Sequence, residues 1–215
     1  MNIKICTIFI TMILLTACAS DKRNDIAVDS EPAISVLHGE FSIDVDNYRE
    51  LSGDADYVVL GQVTKELYTE YRYPVEKESE DGSIEILTVP HTHYEIRVLE
   101  NLKGDLSMEE PIIIVKDGGL REDNSEYALY EDDVLPEQGN KYIFYIYAQE
   151  DGSNFVGGPN STIPIDITRT PKVATFSSEI VEESKKVFEE IEAGVTKETV
   201  IERERFVSSD DILRK

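Results

Sequence analysis

A mainly β domain, a small barrel or sandwich with one C-terminal α-helix, is the fold this sequence predicts. Three observations lead to it. Short apolar or alternating runs recur through the middle of the chain, and turns bearing Gly, Asn and Asp separate them. No long helical pattern lies between those runs. One stretch near the C-terminus carries apolar residues at helical spacing. The length of 215 residues suits one domain of ordinary size.

The folded part is expected to begin near Phe41. Asp46 can cap a short helix over Asn47 to Ser52, which Gly53 ends. Ala55 to Val63 (ADYVVLGQV) reads as a strand. Its apolar centre, Tyr57 to Leu60, is continuous, as in a strand buried on both faces. Gly61 marks a bend or bulge. His91 to Leu99 (HTHYEIRVL) alternates most cleanly. Thr92, Tyr94, Ile96 and Val98 form its core face, while His91, His93, Glu95 and Arg97 are expected to meet solvent. Asn101 to Asp105 reads as a turn. Pro111 to Val115 (PIIIV) and Lys141 to Ala148 (KYIFYIYA) are further buried strands, the second followed by an Asp151-Gly152 hairpin turn. Phe155 to Gly158 and Ile163 to Ile165 are shorter candidates, and Pro164 places the last at an edge. Val58, Leu60, Ile96, Val98, Ile113 and Phe144 are the predicted core. Ser177 to Ile191 is the long helix, with Ile180, Val181, Val187, Phe188 and Ile191 on one stripe and Gly194 as its stop. Glu198 to Arg205 is expected to add a turn or two before a fraying end.

The N-terminus has a different character. Met1 to Ile5 carries one positive charge, Lys4, and an apolar run follows to Leu15. A charged start, a short apolar run and small residues at a cut mark a signal peptide. The run is shorter than the about 20 residues that span a bilayer. With Leu15-Thr16-Ala17-Cys18 at its end, this segment resembles a bacterial lipoprotein signal peptide and its lipobox. The resemblance implies cleavage before Cys18, a diacylglyceryl thioether on its sulfur, and acyl (palmitate-type) anchoring to the outer side of the cell membrane. Cys6 leaves with the signal, so the mature chain is expected to have no disulfide. The expected organisation is residues 1–17 as signal, 18–38 as lipidated Cys18 and acidic tether, 39–172 as β domain, and 173–215 as helix and tail.

The strand order carries a second resemblance. Ala55 to Val63, Thr92 to Val98, Leu102-Lys103-Gly104, Pro111 to Val115, Gly118-Gly119, and Gly139 with Tyr142 follow one another as in extracytoplasmic β-barrels of the netrin/TIMP-like, OB-type group. The likeness covers about Phe41 to Thr168. It implies a small OB/netrin-like barrel. The chain lacks the disulfides and the N-terminal metal-chelating cysteine of animal members, so their protease inhibition does not carry over.

Composition narrows the function. Asp and Glu number 44 against 21 Lys and Arg, a formal net charge of −23. Nucleic acid needs a basic stripe that this chain lacks. A cationic grip on anionic lipid is disfavoured for the same reason, leaving the lipid as the membrane contact. No Gly-x-Ser-x-Gly, His-Glu-x-x-His or phosphate loop is present, and no enzyme activity or cofactor is expected.

Three regions hold candidate sites. His91 and His93, with Glu95 next on the same strand face, are a zinc-type donor set if that face is not simply solvated; His38 would be a further ligand. Asp117-Gly118-Gly119, Glu122, Asp123, Asn124, Glu126 and Glu131 to Asp133 form an acidic region of the kind calcium uses, without EF-hand spacing. Thr64 to Pro90 reads as an inserted hairpin with an acidic tip, Glu76 to Asp81, and with Ile84 and Ile86. Its Tyr68, Tyr71 and Tyr73 are candidate contacts for a partner, since tyrosine gives large contact area at low entropic cost. The expected function is a lipid-anchored, non-enzymatic binding module for an extracellular protein or small ligand. A zinc or calcium protein or metal-dependent hydrolase, and an envelope-protection or immunity lipoprotein, stand as alternatives.

Overall fold

The computed structural model describes residues 32–78, 82–166, 173 and 184–214. The expected signal peptide, Cys18 and the expected tether up to Glu31 lie outside the described residues, as does the expected start of the long helix over 177–183. The chain is mainly β, in two sheets, with a helix near the C-terminus.

The strands are β1 (Ala33–Leu37), β2 (Tyr57–Glu78), β3 (Ile84–Lys103), β4 (Ile112–Asp117), β5 (Gly119–Leu120), β6 (Glu126–Tyr130), β7 (Lys141–Ala148), β8 (Asn154–Val156) and β9 (Thr162–Asp166). The helices are α1 (Tyr48–Asp54) and α2 (Ser184–Thr196), with a final 3₁₀ turn over Ile212–Arg214. In the larger sheet the pairings run β2-β3-β4-β8-β7 and return from β7 to β2, a closed ring of five strands. Only β4 and β8 are parallel within it. Edge strand β9 pairs with β7 alone, and Pro164 lies in it as expected. The small sheet is β1-β6-β5, with β1 parallel to β6.

The unbroken apolar runs have the predicted cause. On β2 and β7, Val59, Val63, Tyr142, Phe144 and Ile146 join Tyr94, Ile96 and Val98 in one core. Their alternates Val58, Ile143 and Tyr145 pack in a second core with Leu51 of α1 and Ile191 of α2. The helices therefore cover the outer face of β2 and β7 and do not reach Ile113 on β4. Ile113, predicted to be buried, is 51% exposed for this reason, between fully buried Ile112 and Ile114. Leu60 is half-buried against the second core. At Gly61 the β2–β3 register shifts, as expected.

Five further expectations change. Ala33–Leu37, assigned to the tether, is a strand held by backbone pairing to β6. The helix cap is Asn47, whose side chain accepts from Arg49 N at 3.1 Å, one residue after Asp46. Gly53 and Gly194, expected as helix stops, lie inside α1 and α2. They are there for close approach: a Cβ on Gly53 would sit 1.7 Å from Thr199 O, and one on Gly194 would sit 3.0 Å from Tyr48 Cβ. The hairpin expected over Thr64 to Pro90 is present, but its strands begin earlier and end later than expected, since β2 and β3 run unbroken from the ring into it.

The tail after Thr196 neither forms the expected extra helix nor frays. Arg203 and Arg205 donate to the backbone carbonyls of Gly53, Asp54 and Ala55 at the end of α1. Those carbonyls are left without helical partners, and cations suit that end of the dipole. Further on, Tyr57 Oη accepts from Ser208 N at 3.1 Å and donates to Asp211 at 2.8 Å, so the tail straps the ring.

Candidate functional site

The register of the hairpin sorts its side chains. Tyr68 pairs with His93, Glu70 with His91 and Arg72 with Val89, so these share one face. Thr69 with Thr92 and Tyr71 with Pro90 share the other. The last of the register shifts in this pair falls between Arg72 and Val75. There Tyr73 takes a φ of 54°, uncommon for a bulky residue, just before Pro74. The bulge sends Tyr73 to the histidine side, so Tyr71 and Tyr73 do not share a face as their i, i+2 spacing predicts.

The histidine face is covered, contrary to expectation: His91 is 3% exposed and His93 8%. Tyr68 stacks on His93 with ring centroids 4.2 Å apart and an angle of 18°. His91 lies between Tyr73 and Phe155, at 5.7 and 5.9 Å. His93 Nε2 is 3.4 Å from Glu70, which also accepts from Arg72 at 2.6 Å. Burial holds the His93 ring below its ordinary pKa, against the pull of Glu70. Arg72 in turn holds the Glu70 carboxyl below its usual range.

The three zinc candidates are drawn to separate partners. His93 meets Glu70, Glu95 accepts from Thr64 Oγ1 at 2.5 Å, and His91 Nε2 faces Asp117 Oδ1 at 3.8 Å. His38 pairs with Glu131 at 3.3 Å. The acidic region divides likewise: Asp123 accepts from Ser125, Glu126 from Arg121 and Asp133 from Lys116. Among the described residues no three His, Cys, Asp or Glu converge as a metal would need. His91 Nδ1 lies 3.1 Å from Val89 O, which can only accept, so Nδ1 carries the proton. The ring is thus not placed between a hydroxyl and a carboxylate, as a Ser-His-Asp arrangement requires.

Two recesses flank the histidine-bearing part of the hairpin. One, of about 340 Å³, includes Arg72, Tyr73, His91, Asp117, Tyr130 and Phe155 in its lining. The other, of about 430 Å³, lies on the Thr92 face, where half-buried Tyr71 meets Thr69, Tyr94, Tyr127 and Leu135. Lys116 and Asp133, both fully buried, pair between the core and Ser161, whose Oγ is 3.1 Å from Lys116 Nζ. Burial pushes Asp133 up to about 6, although Lys116 opposes it. Burial also raises Asp117, partly offset by Lys116 and His91.

Lys116, Arg72, Tyr130 and Phe155 were not singled out as site residues from sequence, and Asp133 only as part of an acidic, calcium-type region. For Lys116 a signal existed: it follows Ile112 and Ile114 at i, i+2, i+4, the inward parity of β4. Comparison with models of known protein families gives no match, and neither does comparison with curated proteins.

Proposed function

We propose that this chain is a lipoprotein held on the outer side of a bacterial cell membrane by acylated Cys18, and that its β domain is a non-enzymatic module that binds an extracellular protein through the β2–β3 hairpin. The lipobox pattern at Leu15 to Cys18 supports the anchor. One observation carries the contact surface: four large apolar side chains of this hairpin, Tyr68, Tyr73, Ile84 and Ile86, are 58, 66, 68 and 65% exposed. Apolar groups gathered on a projecting element, rather than scattered singly, favour a contact role.

Two experiments test the reading. Cys18→Ser should release the chain from the membrane or leave its precursor uncleaved; normal processing and retention would refute the anchor. In intact cells, cross-linking should join the wild-type hairpin to one protein, and Ile84→Ser with Ile86→Ser should lose that product at unchanged melting temperature. Persistence of the same product in the variant would remove the hairpin as the contact.

A further inference from the structure

We infer that the free edge of β3 between Ile84 and Thr88 takes up an extended, lysine- or arginine-bearing segment of a partner protein as an added β-strand. The added strand rests on the hairpin contact proposed above and specifies how that contact is made.

The backbone sets the geometry. β3 pairs with β2 along its whole length, but with β4 only from Thr92 to Ile96. On the tip side of Thr92 the chain leaves this edge, turning away at Gly118 and Gly119, both at positive φ. Its last hydrogen bond to the edge runs from Gly118 N to Pro90 O at 3.0 Å. Alternate residues of a paired strand direct their N–H and C=O to the same side. Pro90 therefore sets the parity, and the N–H and C=O of Thr88, Ile86 and Ile84 also point away from β2. Among the described residues no backbone group pairs with them. An incoming strand would occupy the place that β4 vacates.

The edge is open to such a strand. Ile84 and Ile86 are exposed. The run Ile84 to Val89 carries no lysine and no proline, the residues that guard natural edges, and its one charged residue is the acid Glu85. A recess of about 330 Å³ lies along it, with Ile86, Leu87 and Thr88 on one side and Arg121, Glu122 and Asp123 on the other.

Charge selects the occupant. Glu122 and Asp123 wall the recess, and Glu76 and Glu78 stand in register with Ile86 and Ile84 on β2. Arg121, the one lining cation, is engaged by Glu126 at 2.8 Å. A cationic segment is drawn in and an acidic one repelled. A second copy would bring the same carboxylates on a chain of net charge −23. Main-chain pairing then supplies affinity, and alternate side chains supply selectivity.

The test is fluorescence-anisotropy titration of the detergent-solubilised full chain into a labelled, end-blocked heptapeptide of alternating lysine and valine. Saturable one-to-one binding that weakens with salt is expected. The same peptide N-methylated at every amide keeps its charges but cannot donate, and should bind at least about tenfold more weakly. Glutamate in place of lysine should abolish binding. Ile86→Pro removes an N–H that β2 does not use, so it should weaken binding at least about tenfold at unchanged melting temperature. Should that variant fail to fold, Glu122→Lys on the exposed turn carries the comparison, with a severalfold loss. No saturable binding at millimolar peptide, equal binding of the N-methylated peptide, or unchanged affinity in the folded variant would overturn the added strand. The cross-linking experiment above separates the two readings. Loss of the product in Ile84→Ser with Ile86→Ser but not in Ile86→Pro would keep the hairpin contact and overturn the added strand; persistence in both would overturn both.

Discussion

Lys116 and Asp117 are consecutive residues of β4, yet they end in opposite situations. Lys116 points inward and is enclosed with Asp133 and Ser161. Asp117 points to the other side of the strand, where its Oδ1 lies 3.8 Å from His91 Nε2. Strand alternation alone separates them. The difference shows what burial does to charge: a fully enclosed carboxylate needs its counter-charge in contact, whereas one nearer the surface can stand off from its neighbour.

The largest expected effect comes from breaking the enclosed pair. Lys116→Met leaves Asp133 buried without its cation and should cost about 3–5 kcal/mol. Lys116→Met with Asp133→Leu should restore most of that, because an apolar pair of similar volume removes the uncompensated charge. The pH dependence has a definite sign. Burial lifts the folded pKa of Asp133 to about 6 from an ordinary 3.8, so between those values the folded state holds more protons. Its contribution to stability is therefore fully present below the lower value and lost as pH rises through about 6. Removing Lys116 raises that folded pKa further. The deficit of Lys116→Met should widen from acid to neutral pH in thermal unfolding.

The same strand provides an apolar version of the comparison. Ile114→Ala, inside the ring, should cost about 2–5 kcal/mol. Ile113→Ala, next to it but half-exposed, should stay within about 0.5 kcal/mol in denaturant unfolding. Equal losses would mean that Ile113 is covered.

A smaller effect is expected at His93, which lies between the two extremes. Its pKa is lowered in the fold, so the unfolded chain binds more protons below about 6.5. This group's share of stability is present above that pH and falls as the medium becomes acid. His93→Phe, which keeps the stacking on Tyr68, should remove that part of the slope and change stability at neutral pH by about 1 kcal/mol or less. Asp117→Asn should matter least, under about 1 kcal/mol, because its carboxylate oxygen facing His91 has no hydrogen bond to lose.

Which parts of this were legible in the sequence follows from locality. The runs YVVL and KYIFYIYA announce strands covered on both sides, and they are. PIIIV has the same pattern, but whether helices reach its outer face depends on where α1 and α2 dock, which no local pattern encodes. The histidine face failed for a related reason. Alternation identifies two faces of β3, but the cover over the second comes from Tyr68 and Tyr73 across the hairpin and from Phe155 some 60 positions on. Asp133 was hidden in an acidic run where composition alone explains a carboxylate. The strap was illegible because arginines binding carbonyls need no periodicity; Arg203 and Arg205 in so acidic a chain were the available clue.

The most direct measurement is a pair of double-mutant cycles on thermal or denaturant stability at neutral pH. One joins Lys116→Met with Asp133→Leu, the other His91→Gln with Asp117→Asn. A coupling of about 3 kcal/mol or more is expected for the enclosed pair and of about 0.5 kcal/mol or less for the other. Equal couplings in the two cycles would contradict the distinction and make His91 and Asp117 a structural ion pair.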